Sequence, residues 1–447
     1  MSQNIEKQEN NKKRDGFGSR WGFIMACIGS AVGMGNIWLF PYRVGQLGGA
    51  AFLIPYFIFV ALIGYTGVIG EMSFGRAMKT GPLGAFEKAF KMRGLKGGTA
   101  IGLIPVIGSM GIAIGYSVVV GWILRYLWGS FSGEMFAAES AGAYFGPFAS
   151  NFGSIPWHIA ALIATFVLMS FGVKNGIEKI NKIMMPAFFF MFVFLAIKIF
   201  TLPGADRGYT YLLHPEWSAL LNPKTWIYAM GQAFFSLSLA GSGTVVYGSY
   251  LSDKEDIVNS AKNVAIFDTL AAVLAAVVII PAVFAYDLEM GAGPGLMFVT
   301  LPTVFRNMPF GRVVAVVFFI AVFFAGITSL MNLFETPVEA LQQRLGFSRV
   351  KAIIAVGIVA FAVGIFLEGD YLSGWMDMVS IYIIPTGALL AGITFFWICG
   401  EKFAREQAQL GCPKKIGRWF EPMTKYVFCG VALAVLVMSI LIPGGIG

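Results

Sequence analysis

The feature that most constrains this chain is a succession of about eleven apolar runs. They lie near residues 20–45, 50–76, 98–130, 157–174, 181–202, 224–252, 259–288, 310–345, 350–367, 374–400 and 424–443. A helix that crosses hydrocarbon needs about 20 apolar residues, and only a helix or a closed barrel can satisfy its own backbone there. Charged residues make up 13% of the chain, against roughly 25% in a soluble domain. The expectation is an all-α polytopic membrane protein with about eleven transmembrane helices.

Lys and Arg exceed Asp and Glu by eight, but the basic residues fall in short clusters between the apolar runs. That is the pattern of cytoplasmic loops rather than of a nucleic-acid surface. With the N-terminus inside, about 25 of the 32 Lys and Arg fall on the inner side and about five outside, so the charge bias supports an odd number of spans. The polar, basic start reads as a retained cytoplasmic tail, with no cleavage pattern before the first helix. Cys27, Cys399, Cys412 and Cys429 have no metal-like spacing and imply no disulfide framework.

Residues 29–36, GSAVGMGN, interrupt the first run at its centre, and residues 236–244, SLSLAGSGT, interrupt the sixth. Glycine-rich backbone at membrane depth survives where it lines a cavity or meets a ligand. Gly29 and Gly33, four apart, also suit close helix packing. Two interruptions five spans apart favour the site reading, because they point to inverted-repeat secondary transport. Asn36, Ser236, Ser238, Asp268, Thr328 and Ser329 fall near the centres of apolar runs as well. Hydroxyls there usually bond their own helix, but a carboxylate such as Asp268 calls for a cation or a proton. Hard oxygen ligands fit a small hard ion such as sodium.

These residues resemble the neurotransmitter:sodium symporters in their bacterial eleven-helix form. The likeness runs from about Arg20 to the end, on GSAVGMGNIWLFPY, GxxGEMSFGR (residues 67–76), GIEKINKIMMP, GQAFFSLSL, SYLSDKEDI and FAGITSLMN. It implies two inverted five-helix repeats with helices 1 and 6 broken, plus an additional C-terminal helix. Residues 1–19 are then a tail, 20–202 the first repeat, 203–400 the second, and 401–447 a cytoplasmic loop and the last helix. By the same resemblance, one sodium ion is held by backbone oxygens of Gly29, Val32 and Ala325 with the hydroxyls of Thr328 and Ser329. A second is held by Ala31, Asn36, Ser236 and Asp268 with the substrate carboxylate. Met34, Gly35 and Tyr116 face that carboxylate, Phe235 closes the site, and Ile112, Ser238 and Leu333 line the side-chain pocket. Tyr56 and Gln232 match positions around chloride in animal members, and Glu71 matches a glutamate that bonds backbone near the first break.

Four departures shape the expectations. The usual outer-gate arginine is replaced by Leu39, leaving Arg43 with Asp377 as the substitute pair. Arg14 matches the inner-gate arginine, but its expected acid falls on Gln343, with Glu339 one turn away. Ala272 stands at the usual bacterial acid position while Asp268 supplies a carboxylate nearby, so transport is expected to be independent of chloride. Gly241 stands where leucine-carrying members have an aromatic wall, which opens room for an aromatic substrate, tyrosine or tryptophan.

A membrane enzyme finds no HExxH or metal-spaced Cys/His set in the sequence, and His158 and His214 read as interfacial residues near outer ends of spans. A channel would share the broken helices and differ in lacking saturation and stoichiometric coupling. A same-fold carrier of polyamines or nucleobases fits the motif set less well. The reading is a sodium-coupled amino-acid symporter, with small aliphatic amino acids or ion conduction as the alternatives. Its partners are an amino acid, sodium and membrane lipid, with no nucleic acid. It is expected in the cell inner membrane or plasma membrane, as a monomer or homodimer.

Overall fold

The structure is a computed structural model that describes residues 16–442. Among them the regular structure is helical throughout. The apolar helices are labelled α1 to α11 in chain order. α1 is the bent pair Arg20–Ala31 and Gly35–Gln46. α2 is Ala50–Met78, α3 Gly98–Ser132, α4 Ile155–Ser170 and α5 Val173–Phe200. α6 is the pair Pro223–Ser236 and Gly243–Ser249. α7 is Ile257–Ala285, α8 Gly311–Leu345, α9 Arg349–Leu367, α10 Tyr371–Ile398 and α11 Pro422–Leu441.

Eight of these are long and apolar enough to cross a membrane unaided, and the bent α1 makes nine. The shorter α4 and the broken α6 occupy the fourth and sixth places in the expected order. α3 and α8 form the centre, with 78% and 67% of their most apolar windows buried; α5, α9 and α11 are peripheral, at 28%, 33% and 33%. Since lipid is as apolar as a leucine side chain, helices that pack tightly here do so through small residues. A Cβ on Gly121 of α3 would sit 2.8 Å from the His158 backbone nitrogen of α4, and one on Gly75 of α2 would collide with the Val245 carbonyl of α6.

α1 is interrupted because Val32 leaves the helical region at φ −69°, ψ 109°, and its halves meet at 55°. α6 is interrupted by Ser238 at φ +53° and Gly241 at φ +65°, conformations that end an α-helix. Of the N-terminal segment, residues 16–19 are anchored on α5. Glu178 there accepts from the Gly18 N–H at 2.5 Å and the Ser19 hydroxyl at 2.8 Å, and pairs with Lys182.

Candidate functional site

The two breaks face each other and satisfy part of each other's backbone. The Ser238 hydroxyl of α6 donates to the Ser30 carbonyl of α1 at 3.1 Å, and the Gln232 amide donates to the Gly35 carbonyl at 3.1 Å. From α2, the Glu71 carboxylate accepts the Gly241 N–H at 2.7 Å. From α3, the Tyr116 hydroxyl accepts the Met34 N–H at 3.1 Å. Gly33 is required by this last approach: a Cβ there would lie 2.8 Å from the Tyr116 hydroxyl oxygen and 2.9 Å from Ser329 Oγ. In apolar surroundings each such group, if left unpaired, costs several kcal/mol.

Between the breaks lies a cavity of about 210 Å³. Its walls include Ala31, Met34, Gly35, Ile112, Tyr116, Phe235, Ser236, Ser238 and Leu333, all singled out from sequence. Gly241 does not line it. Its φ is positive, and a Cβ would fall 2.5 Å from the Gly387 carbonyl oxygen of α10. The missing side chain therefore makes room for α10 rather than for a ligand, which corrects the sequence expectation. Sequence reasoning also missed Asn332 and the α10 wall formed by Met376, Ser380 and Ile384, since α10 carries no motif of its own. From α1, Ser30, Gly33, Trp38 and Leu39 also line it.

Beside the cavity, Ser329 of α8 holds its hydroxyl 3.1 Å from the Gly29 carbonyl, 3.3 Å from Ser30 and 3.0 Å from Val32. One hydroxyl hydrogen serves one strong bond, so three carbonyl dipoles converge where a single proton is available. The Thr328 hydroxyl lies over its own helix, donating to Phe324 at 2.8 Å with the Ala325 carbonyl at 3.1 Å. Ser329 thus gathers the Gly29 and Val32 carbonyls against α8, next in sequence to Thr328 with its Ala325 contact; hard oxygens of this kind suit a small cation.

On the other side, Asp268 of α7 is fully buried. Asn36 Nδ2 donates to its Oδ1 at 2.8 Å, and the Ser236 hydroxyl to its Oδ2 at 2.7 Å. Asn36 is held in turn by the Gly33 N–H, 3.0 Å from its Oδ1. Both partners of the carboxylate are neutral, so its charge is solvated by dipoles alone, a demanding arrangement in a low dielectric. The residues fit a cation here as well, with Ala31 at the adjoining end of the first half-helix. Tyr56 is packed near Asp268, with Ser236 and Thr269 beside its hydroxyl, and Gln232 Oε1 is buried without a hydrogen-bond partner.

The expected gate pairs differ. Arg43 makes no ion pair with Asp377; its guanidinium lies 3.9 Å over the Tyr228 ring, because Tyr228 of α6 reaches it while Asp377 sits exposed on α10. Arg14 lies outside the described residues. Glu339 accepts from the Gly81 N–H at 2.8 Å, and Arg344, next to Gln343, pairs with Glu87 at 3.0 Å. A buried ion pair joins the C-terminal part of α8 to the start of α9: Glu335 with Arg349, at 2.9 and 2.7 Å, with the Tyr250 hydroxyl 2.8 Å from the same carboxylate. Its acid is one helical turn or more from the positions that spacing suggested. His158, in the first turn of α4, is fully buried within the bundle, while His214 is exposed.

Two unwound helix junctions, a cavity between them and clustered oxygen ligands define a broken-helix membrane carrier, built to bind rather than to catalyse. The model of the sodium:neurotransmitter symporter family matches residues 14–147 and 145–443. Among relatives, the uncharacterized sodium-dependent transporter YhdH of Bacillus subtilis is 34% identical over 391 residues, 84% of this chain and 86% of that protein. A sodium-dependent transporter of Methanocaldococcus jannaschii, also uncharacterized, is 33% identical over 459 residues, 96% of this chain and 90% of its own. The crystal structure of MhsT in complex with L-phenylalanine superposes with a TM-score of 0.85 at 34% identity, covering 95% of this chain and 99% of that one. The chain belongs to the sodium:neurotransmitter symporter family. It is a multi-pass, sodium-dependent membrane transporter and not an enzyme.

Proposed function

We propose that the protein is a sodium-coupled symporter of a large hydrophobic or aromatic amino acid, tyrosine or tryptophan foremost, that works without chloride. The observation that carries the reading is the pair of cation-demanding oxygen sets on either side of one cavity. Gly29, Val32, Ala325, Thr328 and Ser329 hold one sodium ion; Ala31, Asn36, Ser236 and Asp268 hold the other. The substrate carboxylate completes the second set, which makes binding of ion and amino acid mutually dependent. The Tyr116 phenol and the backbone of Met34 and Gly35 orient that carboxylate.

The side chain of the substrate lies among Ile112, Leu333 and the other largely apolar walls, under Phe235. Support for an aromatic substrate comes from this lining and from the likeness to MhsT, whose structure holds L-phenylalanine; Gly241 no longer contributes to the argument. Asp268 supplies a fixed negative charge near the sodium, where a chloride ion would otherwise be needed for Coulombic balance.

The wider frame is two inverted five-helix repeats, 20–202 and 203–400, with the N-terminus in the cytoplasm. Filling the site favours an occluded state from which one bundle rocks to open inward. The membrane potential adds about 2.3 kcal/mol per charge per 100 mV. The deciding experiment is uptake of radiolabelled tyrosine and leucine into proteoliposomes, with an inward sodium gradient set against an equal potassium gradient. Saturable, sodium-dependent accumulation with tyrosine preferred supports the proposal. Leucine or alanine outcompeting tyrosine overturns the substrate, and current without saturation overturns the carrier.

A further inference from the structure

Away from the cavity, three polar side chains meet inside the bundle. His158 is in the first turn of α4, Glu368 follows the end of α9, and Ser117 is on α3; all are fully buried or nearly so. His158 Nε2 lies 2.9 Å from the Ser117 hydroxyl, and Nδ1 lies 3.3 Å from Glu368 Oε1. Glu368 Oε2 accepts the Ser154 N–H at 2.9 Å. The imidazole occupies a slot cut by two glycines: a Cβ on Gly364 would fall 2.4 Å from its Cε1, and one on Gly121 would press on the His158 backbone. The ring fits closely there, and none of the three polar residues lines the cavity.

The hydrogens can be counted. Ser117 directs its hydroxyl to the Ile114 carbonyl at 2.6 Å; with its single proton engaged there the oxygen accepts from the ring, and Nε2 is the protonated nitrogen of this arrangement. That leaves Nδ1 facing Oε1, two buried atoms that both lack a hydrogen-bond partner. A neutral Nε2–H imidazole beside a carboxylate would place two lone pairs against each other. It would also leave a net negative charge in apolar surroundings, which burial disfavours strongly. One additional proton between Nδ1 and Oε1 removes both difficulties.

The other charged groups on the surrounding elements do not supply that compensation. Arg125 of α3 pairs with Glu134 at 2.7 Å and lies over the Trp157 ring. On α8, Arg312 bonds the Ser130 and Phe131 carbonyls, Glu335 pairs with Arg349 of α9, Glu339 holds Gly81, and Arg344 pairs with Glu87. Lys351, at the opposite end of α9 from Glu368, is exposed, as are the negative Asp370 beyond α9 and Asp377 of α10.

We propose that Ser117, His158 and Glu368 form a buried proton-binding site, in which the His158–Glu368 pair holds one proton beyond that of neutral imidazole. The site clasps the start of α4 to the end of α9 and to α3, one residue from the cavity-lining Tyr116.

The chain contains two histidines, so His214→Gln leaves a single imidazole to observe. The experiment is ¹⁵N NMR of histidine-labelled full-length protein in lipid bilayers at about pH 7, where reference histidine is largely neutral, with ¹³C-glutamate reporting the carboxyl. The expected result is a proton on Nε2 together with a second between Nδ1 and Glu368, on the ring or on the carboxyl. Glu368→Gln removes that second proton and leaves neutral Nε2–H imidazole. A bare Nε2 in the unaltered site, with Ser117 donating to it, overturns the proposal, as does a wild-type pair lacking the second proton. Should Glu368→Gln fail to fold, the spectrum of the Glu368-containing protein decides alone.

Discussion

Replacing Asp268 by Asn preserves shape and removes one buried charge, so its effect on sodium can be worked out. The carboxylate is held by Asn36 Nδ2 at 2.8 Å and the Ser236 hydroxyl at 2.7 Å, neither of which compensates its charge. A sodium ion about 4 Å away is attracted by about 4 kcal/mol at an effective dielectric of about 20. Roughly half of this survives, since the amide oxygen still ligates and no anion need be desolvated. About 2 kcal/mol corresponds to a roughly 30-fold rise in the half-saturating sodium concentration. The assay is initial uptake in proteoliposomes across a sodium titration, in chloride and in gluconate. In gluconate, Asp268→Asn should show the full rise; chloride should recover part of it by entering beside Tyr56 and Gln232. Thermal stability without sodium should be unchanged or higher, because a costly buried anion is gone. A half-saturating sodium concentration within about threefold of wild type in both anions would refute the assignment of Asp268 to sodium and to chloride independence.

Thr328→Ala tests the other ion set: its hydroxyl bonds only its own helix, so stability should change by less than about 1 kcal/mol while half-saturating sodium rises about tenfold. Tyr116→Phe removes the acceptor of the Met34 N–H and a donor to the substrate carboxylate; KM measured by uptake should rise at least about tenfold, the scale of one charge-assisted hydrogen bond. Glu335→Gln leaves Arg349 facing an amide in place of its carboxylate. It should destabilise by roughly 3–5 kcal/mol, read as a lower midpoint in thermal unfolding followed by size-exclusion chromatography. The double variant with Arg349→Met should regain much of that loss.

The two helix breaks were legible because glycine-rich backbone has few reasons to sit inside an apolar run, and Asp268 because a carboxylate has fewer still. Most of the cavity lining followed from those motifs. What escaped was set by tertiary geometry. Arg43 and Asp377 are separated in the sequence by most of the chain, and charge complementarity alone could not show that Tyr228 takes the guanidinium. Met376, Ser380 and Ile384 are ordinary residues of an apolar helix, and only packing turns them toward the cavity. His158 looked interfacial from its place near the end of a span. Its burial depends on Gly121 and Gly364 of two other helices, which no local pattern around His158 reports.

Gly241 separates these two kinds of information most sharply, and it can be tested against Gly33. If its glycine opened the substrate pocket, Gly241→Ala would shift the ranking of substrates and leave the fold intact. In the structure its Cβ would meet the Gly387 carbonyl oxygen at 2.5 Å, at a backbone φ of +65°. Left-handed backbone costs a non-glycine residue about 1–2 kcal/mol, and overpacking adds about 1–3 kcal/mol. Gly241→Ala should therefore lower stability by roughly 2–5 kcal/mol and leave the order of competing amino acids as it was. Gly33→Ala instead pushes into the Tyr116 hydroxyl and Ser329 Oγ, both of which yield by rotating side chains. It should cost less stability than Gly241→Ala, through the weakened Met34 N–H bond to Tyr116 alone, and raise both KM and half-saturating sodium. Thermal midpoints together with a competition panel distinguish the two variants, and a changed substrate order in Gly241→Ala with an unchanged midpoint would restore the glycine to the pocket wall.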